Sequence, residues 1–359
     1  MGSLQQGAYN AVKVCMGVKR GERVTIITDD SAMQIATALR TEAEKLKAKV
    51  SFFNLDDFEN RRASKKNLLK KAPKEVLEAI EDSDITFYNA ADKQFGSNTE
   101  VQARIKIWEH AIQYARHAHM PGVSVKMMET GMCVDYKKVH KITHKVYGEF
   151  LKDAKSMHIA SRAGTDLAIM FGPTNKYPDA RWRACGGLYH KKGESGNLPE
   201  GEVFTCPIRV NGDLVFDGCI GELSKDDLEE TNQVISMKVV DSFCERDSIN
   251  CRNKDLESAY RNYLSKHQNS YRVGEIGVGT NVLLRKYGFV GHMLQDEKYP
   301  GIHIAFGESS PDDTGISWEK EGGDPPTHID GFIKHATLDV TDKDGTTKRL
   351  LKNGKFVFE

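Results

Sequence analysis

The sequence predicts an α/β protein in which a mostly parallel α/β sheet domain is followed by an α+β domain. Strand and helix patterns alternate through the first part of the chain, as expected for a parallel sheet with helices on both faces. Strand patterns separated by Gly- and Asn-containing turns dominate the rest. We therefore expect a boundary near residue 155, with an α/β domain over 1–155 and an α+β domain over 156–359.

The first predicted domain is defined by its alternating patterns. The β-branched run Arg23–Thr28 predicts a strand, and the residues that follow it offer N-caps for a helix. The other strand patterns are 50–54, 85–88 and a segment near Val123. The helix patterns are 4–16, 32–46, 74–80, 99–117 and 136–154. Helices and strands in this order predict a parallel sheet.

The second predicted domain is richer in strands. Its strand patterns are 157–161, 166–171, 202–210 and 213–219, and its helix patterns are 226–239 and 256–264. Short strand patterns that carry acid or imidazole side chains follow at 273–279, 301–307 and 327–331. A hairpin around 342–345 ends the chain.

Composition excludes several classes of partner. The 51 Lys and Arg residues balance 51 Asp and Glu residues, which argues against nucleic acid because such binding needs a net basic face. The chain has no apolar run of the roughly 18 residues that a membrane helix requires. Its N-terminus lacks a secretory signal pattern, and its seven scattered cysteines form no Cys-x-x-Cys motif. We expect a reduced, cytoplasmic protein that binds neither nucleic acid nor a membrane.

Common cofactor and hydrolase motifs are also missing from the sequence. No Gly-x-Gly-x-x-Gly or Walker sequence follows the first strand, which argues against a dinucleotide. Neither Gly-x-Ser-x-Gly nor His-Glu-x-x-His occurs. The lysines of the basic segment are interpreted as a solvated helix face and loop because acids stand beside them. These lysines are Lys65, Lys66, Lys70, Lys71 and Lys74.

Acid and imidazole side chains on apolar strands form the most informative pattern. Alternation places His328 and Asp330 on one strand face, and His303 opposite its neighbouring isoleucines. Burying such groups is costly unless a partner satisfies them, and a metal ion does so. Taken singly, His303 is also compatible with a hydrogen-bonded core histidine and Glu275 with an ordinary salt bridge. Spacing alone does not choose between Glu202 and its neighbour Glu200.

The segments around these residues resemble a known family. Residues 197–207 (NLPEGEVFTCP), 274–277 (GEIG), 303–307 (HIAFG) and 328–330 (HID), together with 164–167 (GTDL), resemble the aminopeptidase T family of metallopeptidases in sequence and order. The resemblance implies a cytoplasmic exopeptidase, usually dimeric, that uses a pair of divalent metal ions. It implies that the metal ligands are Glu202, Glu275, His303, His328 and Asp330.

This ligand set predicts a metal-activated hydrolysis. Three carboxylates and two imidazoles suit two Zn²⁺, Co²⁺ or Mn²⁺ ions bridged by one carboxylate, for which Asp330 and Glu275 are the candidates. Two such ions polarise a scissile carbonyl and acidify a shared water. Glu202 and Glu275 are also the expected catalytic residues. The expected partner is a peptide with a free N-terminus, since its amine can bind one ion.

One position departs from the family pattern. Longer members carry Tyr-Pro seven residues after the first ligand histidine, and that tyrosine belongs to their metal site. The same offset here gives Ser310-Pro311. Glu308, or Asp312 with Asp313, is the expected replacement.

Two other functions remain open from the sequence. His303, His328 and Asp330 also form a facial triad for non-haem Fe(II), and a ring-cleaving dihydroxypyridine dioxygenase resembles this family in overall shape. A metal-stabilised binding protein without turnover is the other alternative. Retention of Glu202 and Glu275 favours the hydrolase.

Overall fold

A computed structural model describes residues 2–58, 71–91, 98–221 and 223–359, without the side chains of 98–102. Most of the basic segment, including Lys65, Lys66 and Lys70, lies outside these residues. The α-helices described are α1 (Leu4–Tyr9), α2 (Met33–Lys45), α3 (Lys74–Glu81), α4 (Asn98–Tyr114), α5 (Val125–Glu129), α6 (Tyr136–Val146), α7 (Lys254–Leu264), α8 (Met293–Asp296) and α9 (Pro311–Thr314). The π-helical segments Asn10–Cys15 and Tyr147–Leu151 continue α1 and α6.

The β-strands alternate with these helices in the first part of the chain and predominate in the second. They are β1 (Arg23–Thr28), β2 (Lys49–Asn54), β3 (Ile85–Tyr88), β4 (Arg116–His119), β5 (Ala154–Ala160), β6 (Asp166–Met170), β7 (Arg183–Cys185), β8 (Ser195–Asn197), β9 (Glu202–Thr205), β10 (Arg209–Phe216), β11 (Ile235–Val240), β12 (Phe243–Cys244), β13 (Asn250–Cys251), β14 (Val273–Gly279), β15 (Gly301–Gly307), β16 (His328–Ile333), β17 (Thr337–Asp342), β18 (Thr347–Lys352) and β19 (Lys355–Phe356).

Two compact units make up the chain. Unit 1 comprises Met1–His140 and Gly187–Glu200, and unit 2 comprises Lys141–Gly186 and Gly201–Glu359. The predicted domain boundary near residue 155 stays a prediction, because a compact unit need not be a domain that folds alone. None of the helices that the structure describes is long and apolar enough to cross a membrane.

Unit 1 contains the predicted parallel sheet. Its strand order is β2-β1-β3-β4-β8, and every pairing is parallel. The central strands are buried because helices cover the sheet, as is typical of parallel sheets. One core cluster joins Ile27 of β1 to Ile80 of α3 and Ile107 of α4. The α/β prediction for this part of the chain is therefore confirmed.

Two predicted elements in unit 1 are placed differently. The strand expected near Val123 lies earlier, at Arg116–His119, and the preceding helix ends at Tyr114 instead of residue 117. The pattern was misleading because His117 is a fully buried strand residue. Its Nδ1 atom lies 2.8 Å from the Thr86 hydroxyl on β3, which satisfies it there.

Unit 2 is built from two antiparallel sheets. The larger has the order β12-β11-β10-β6-β5-β17-β18-β19, with β13 beside β11. The smaller, the site sheet, has the order β16-β15-β14-β9-β7. One face of the site sheet is apolar: Ile276, Val278, Ile302, Ile304 and Ile329 are all buried. The α+β prediction is confirmed for this part of the chain.

The helix predicted over 226–239 is wrong. Residues 235–240 form β11 of the larger sheet, paired with β10. Ile235, Met237 and Val239 are buried and alternate with more exposed residues, which is the period of a strand. The strand predicted over 202–210 is likewise two strands, β9 and β10.

Candidate metal centre

The second face of the site sheet carries the predicted acids and imidazoles. Glu202 of β9 lies opposite Gly279, and His303 of β15 lies opposite Gly277. On the neighbouring strand, Asp330 pairs with Ala305 and His328 with Gly307. Each of these four candidate ligands thus faces a small residue on the adjacent strand. This pattern leaves room above the sheet for large polar side chains.

Gly277 shows how tightly that room is used. A Cβ atom at this position would lie 1.9 Å from Nε2 of His303, so the imidazole lies directly over the glycine. Glycine in a strand commonly marks such a close approach. The second glycine of the Gly-Glu-Ile-Gly sequence, Gly277, is therefore required by the position of the His303 ring.

A β-bulge at Gly274 precedes Glu275. The pairing of β14 with β15 shifts register between Val273 and Glu275. A Cβ atom on Gly274 would lie 2.2 Å from the Glu308 carbonyl oxygen, so only glycine fits there. Downstream of the bulge the register is regular, and it places Glu275 on the same face as His303.

Glu202, Glu275 and His303 form the inner triplet. Nε2 of His303 lies 3.2 Å from Oε1 of Glu275 and 3.4 Å from Oε2 of Glu202. His303 is fully buried. Burial alone would lower the pKa of His303, but the surrounding carboxylates outweigh it and raise the pKa to about 9. The imidazole is therefore held by two negative groups at once.

Glu275, His328 and Asp330 form the outer triplet. Nε2 of His328 lies 3.4 Å from Oδ2 of Asp330, and 32% of the His328 side chain is exposed. Burial opposes charge on both groups, yet their attraction raises the pKa of His328 and lowers that of Asp330 to about 2. The Tyr263 hydroxyl accepts from the His328 N–H (3.2 Å) and donates to its carbonyl (3.0 Å). This tyrosine fixes the backbone that presents the imidazole.

The two triplets share Glu275. In each triplet, one ligand atom per residue lies within 4.8 Å of the others. Oδ1 of Asp330 is buried, and the described part of the chain offers it no hydrogen-bond donor. Carboxylate oxygens and imidazole nitrogens at this spacing suit a divalent ion, and an ion would satisfy the buried oxygen. The donor set therefore fits metal.

Glu202 and Glu200 have different hydrogen-bond partners in the structure. Glu202 belongs to the inner triplet. The carboxylate of Glu200 accepts a hydrogen bond of 2.7 Å from the Tyr189 hydroxyl within unit 1. Glu200 is 1% exposed, so it too is a buried carboxylate.

Sequence reasoning missed two charged residues beside the inner triplet. Lys298 is fully buried, and its Nζ lies 2.5 Å from Oε1 of Glu202 and 2.6 Å from Oε1 of Glu297. Burial raises the pKa of Glu297 to about 8. No spacing rule could have found Lys298, because its partner Glu202 lies 96 residues away.

Ser310 and its neighbours occupy the position where the family pattern has a tyrosine. Ser310 has a left-handed backbone (φ 50°) and precedes the short helix α9. Asp313 is 3.4 Å from Nη1 of Arg183. Glu308 is exposed, and its charge contributes to the raised pKa of His328. The predicted replacement of the tyrosine by one of these acids stays a prediction.

Two solved structures share the fold. A 2,5-dihydroxypyridine dioxygenase from Pseudomonas putida KT2440 is 18% identical, with 99% of this chain and 97% of that chain covered and a TM-score of 0.69. Wild-type AmpT from Thermus thermophilus is 17% identical, with 99% and 98% covered and a TM-score of 0.69. No curated protein matches the chain. At these identities the similarity shows the fold and does not choose between the two activities.

A comparison of the sequence with protein-family profiles identifies the family of this chain. Residues 128–356 match the profile of the family described as thermophilic metalloprotease (M29). The match spans both triplets and most of the chain, and it confirms the predicted resemblance and the hydrolase class. The chain therefore belongs to the thermophilic metalloprotease (M29) family and is a metallopeptidase that uses divalent metal.

Proposed function

We propose that the protein is an aminopeptidase that releases N-terminal residues from peptides by means of two divalent ions. The observation that carries the proposal is the membership of Glu275 in both the inner and the outer triplet. One carboxylate shared by two ligand sets is the arrangement expected of a two-ion centre. The proposed ligands are Glu202 and His303 for one ion, His328 and Asp330 for the other, and Glu275 for both.

Glu275 and Glu202 have different proposed roles. Glu275 is favoured over Asp330 as the bridge, because Asp330 belongs to one triplet only among the described residues. Glu202 directs Oε2 towards His303 and contributes negative charge to the reaction site. When bound, Zn²⁺, Co²⁺ or Mn²⁺ supplies Lewis acidity to the scissile carbonyl and lowers the pKa of water.

The proposed substrate is a peptide with a free N-terminus. The cluster of carboxylates favours a basic amine, and an N-acetyl group removes both its charge and its lone pair. A cytoplasmic homodimer is also part of the proposal and is supported by the family resemblance. Sedimentation of the purified protein tests the dimer, which a monomer at micromolar concentration would contradict.

The activity test compares free and blocked substrates. We expect hydrolysis of amino-acid anilides, loss of that hydrolysis in chelator, and recovery with added Zn²⁺, Co²⁺ or Mn²⁺. N-acetylated anilides should resist cleavage. Equal cleavage of free and blocked substrates would instead indicate a different peptidase specificity.

A ring-cleaving dioxygenase is the second candidate. His303, His328 and Asp330 supply two imidazoles and one carboxylate, which is the ligand type of non-haem Fe(II) oxygenases, and the fold is shared with a dioxygenase. Metal analysis of protein purified without chelator separates the candidates. Two Zn, Co or Mn per chain support the peptidase, whereas one Fe with oxygen consumption on a dihydroxypyridine supports the dioxygenase. Bound metal without either activity indicates a binding protein.

A further inference from the structure

Lys298 contacts a proposed metal ligand from outside the ligand set. Its ammonium group lies between Oε1 of Glu202 and Oε1 of Glu297, and its side chain is fully buried. A buried lysine loses hydration and side-chain freedom, so it persists only where its partners compensate. The contact is therefore a built feature of the site.

The backbone around Lys298 is shaped to deliver this contact. Gly279 lies opposite Glu202, and a Cβ atom on it would lie 1.9 Å from the Tyr299 carbonyl oxygen. The missing side chain lets the segment 297–299 lie directly against the site sheet. The Asn281 N–H donates to the Lys298 carbonyl at 3.0 Å, which fixes the backbone of the lysine.

The turn before Lys298 is also fixed. The carboxylate of Asp296 accepts hydrogen bonds from the N–H groups of Val290, Gly291 and His292, at 2.8 to 2.9 Å. A carboxylate that accepts several backbone N–H groups holds a loop rigidly. Lys298 consequently approaches Glu202 from a fixed direction.

The two oxygens of Glu202 have different partners. Oε1 is 2.5 Å from Nζ of Lys298, whereas Oε2 is 3.4 Å from Nε2 of His303. A carboxylate can bind an ion through one or both oxygens. An ammonium group on Oε1 leaves Oε2 as the oxygen directed at the inner triplet.

We propose that Lys298 is a positioning residue that makes Glu202 a one-oxygen metal ligand and thereby sets the coordination number of the ion at the inner triplet. This inference rests on the proposed function, because it takes Glu202 to be a ligand. Outer-shell partners of this kind tune metal affinity as well as ligand orientation.

The test uses Co²⁺ as a spectroscopic probe of chelator-stripped protein. Co²⁺ with four or five ligands absorbs visible light more strongly than Co²⁺ with six. In Lys298→Met, Glu202 is free to bind through both oxygens, so absorption per ion should fall. The control is Lys334→Met, which removes a lysine held by Asp227 (2.6 Å) and Glu229 (2.9 Å) away from both triplets.

Two further variants make the outcomes decisive. Lys298→Met should add nothing in a Glu202→Gln background if the lysine acts through that carboxylate. A folded Lys298→Met protein with the parent Co²⁺ spectrum would overturn the inference. If Lys298→Met does not fold, Lys298→Gln removes the charge and shortens the side chain while keeping a polar end, and an unchanged Co²⁺ spectrum would overturn it equally. Parent-like Co²⁺ binding in Glu202→Gln would instead reject the ligand assignment of the proposed function.

Discussion

The inner and outer triplets share Glu275 but differ in their surroundings. His303 of the inner triplet is fully buried beneath two carboxylates, whereas about a third of the His328 side chain is exposed. The inner carboxylate Glu202 contacts a buried lysine, and the outer histidine is fixed through its backbone by Tyr263. A buried site whose side chains contact one another holds its geometry before an ion arrives. We therefore expect the inner triplet to bind the tighter ion and the outer triplet the more exchangeable one.

The largest effect should come from the shared residue. Glu275→Gln removes the only carboxylate that belongs to both triplets among the described residues. We expect the affinity for both ions to fall by more than about a hundredfold, beyond the effect of losing an outer-shell partner. Zn²⁺ titration by calorimetry measures this change. Loss of only one ion would show that Glu275 does not bridge.

Paired alanine variants then test the difference between the triplets. His303→Ala should lower the free energy of unfolding of the metal-free protein by about 2 kcal/mol or more, since it removes a fully buried ring and the imidazole that faces the Glu275 carboxylate. His328→Ala should lower it by less than about 1 kcal/mol, because the side chain is partly solvated. His328→Ala should still lose about one equivalent of metal.

Chemical denaturation and elemental analysis measure both quantities. Equal destabilisation by the two variants would remove the distinction between a buried and an open triplet. Unchanged metal content in both His328→Ala and Asp330→Ala would reject the outer ligand assignment.

A methyl group on Gly277 tests the inner triplet without removing a ligand. Gly277→Ala places a Cβ atom where Nε2 of His303 now lies, so the imidazole must move. We expect metal affinity at the inner triplet to fall by about tenfold, comparable to the loss of a group that orients a ligand. Gly148→Ala is the control, because a Cβ atom there meets nothing within 4 Å. Parent-like binding in Gly277→Ala would mean that His303 is not constrained as the geometry implies.

The smallest effect concerns the rim of the outer triplet. Glu308→Gln should weaken the second, exchangeable ion by about threefold, because the glutamate is exposed and its charge is screened. Ser310→Ala should change little, since a serine hydroxyl is far shorter than the phenol it replaces. Activity of the parent should rise with Mn²⁺ beyond one equivalent. If both variants bind two ions as tightly as the parent, neither residue compensates for the missing tyrosine.

The periodicity of apolar residues predicted some strands of the site sheet correctly and one helix wrongly. Alternation correctly placed His328 and Asp330 on one strand face and His303 opposite its neighbouring isoleucines, and the strand pairing brings the three to the same face. The same reasoning failed at 226–239, where the apolar positions of Ile235, Met237 and Val239 follow a period of two and not of 3.6. A short strand next to turn residues gives a weaker signal than a long helix.

Contacts between residues far apart in the chain could not be predicted from the sequence. Lys298 lies in an irregular segment whose role depends on Glu202, far away in the chain, and on the close approach that Gly279 permits. The register between β9 and β14 decides that contact, and register is a property of the paired strands. Resemblance suggested the candidate ligands, but only the structure showed which of these side chains group together.

The bulge at Gly274 has a consequence for insertions and deletions in this strand. A shift of one residue in a strand moves every following side chain to the opposite face. Glu275 lies immediately downstream of the bulge, in the regular stretch that pairs Gly277 with His303 and Gly279 with Glu202. Deleting Gly274 would therefore remove an unpaired residue and leave the facing of Glu275 unchanged. Deleting one residue between Glu275 and Gly279 would turn Glu275 towards the apolar face, so length variation is tolerable on only one side of this glutamate.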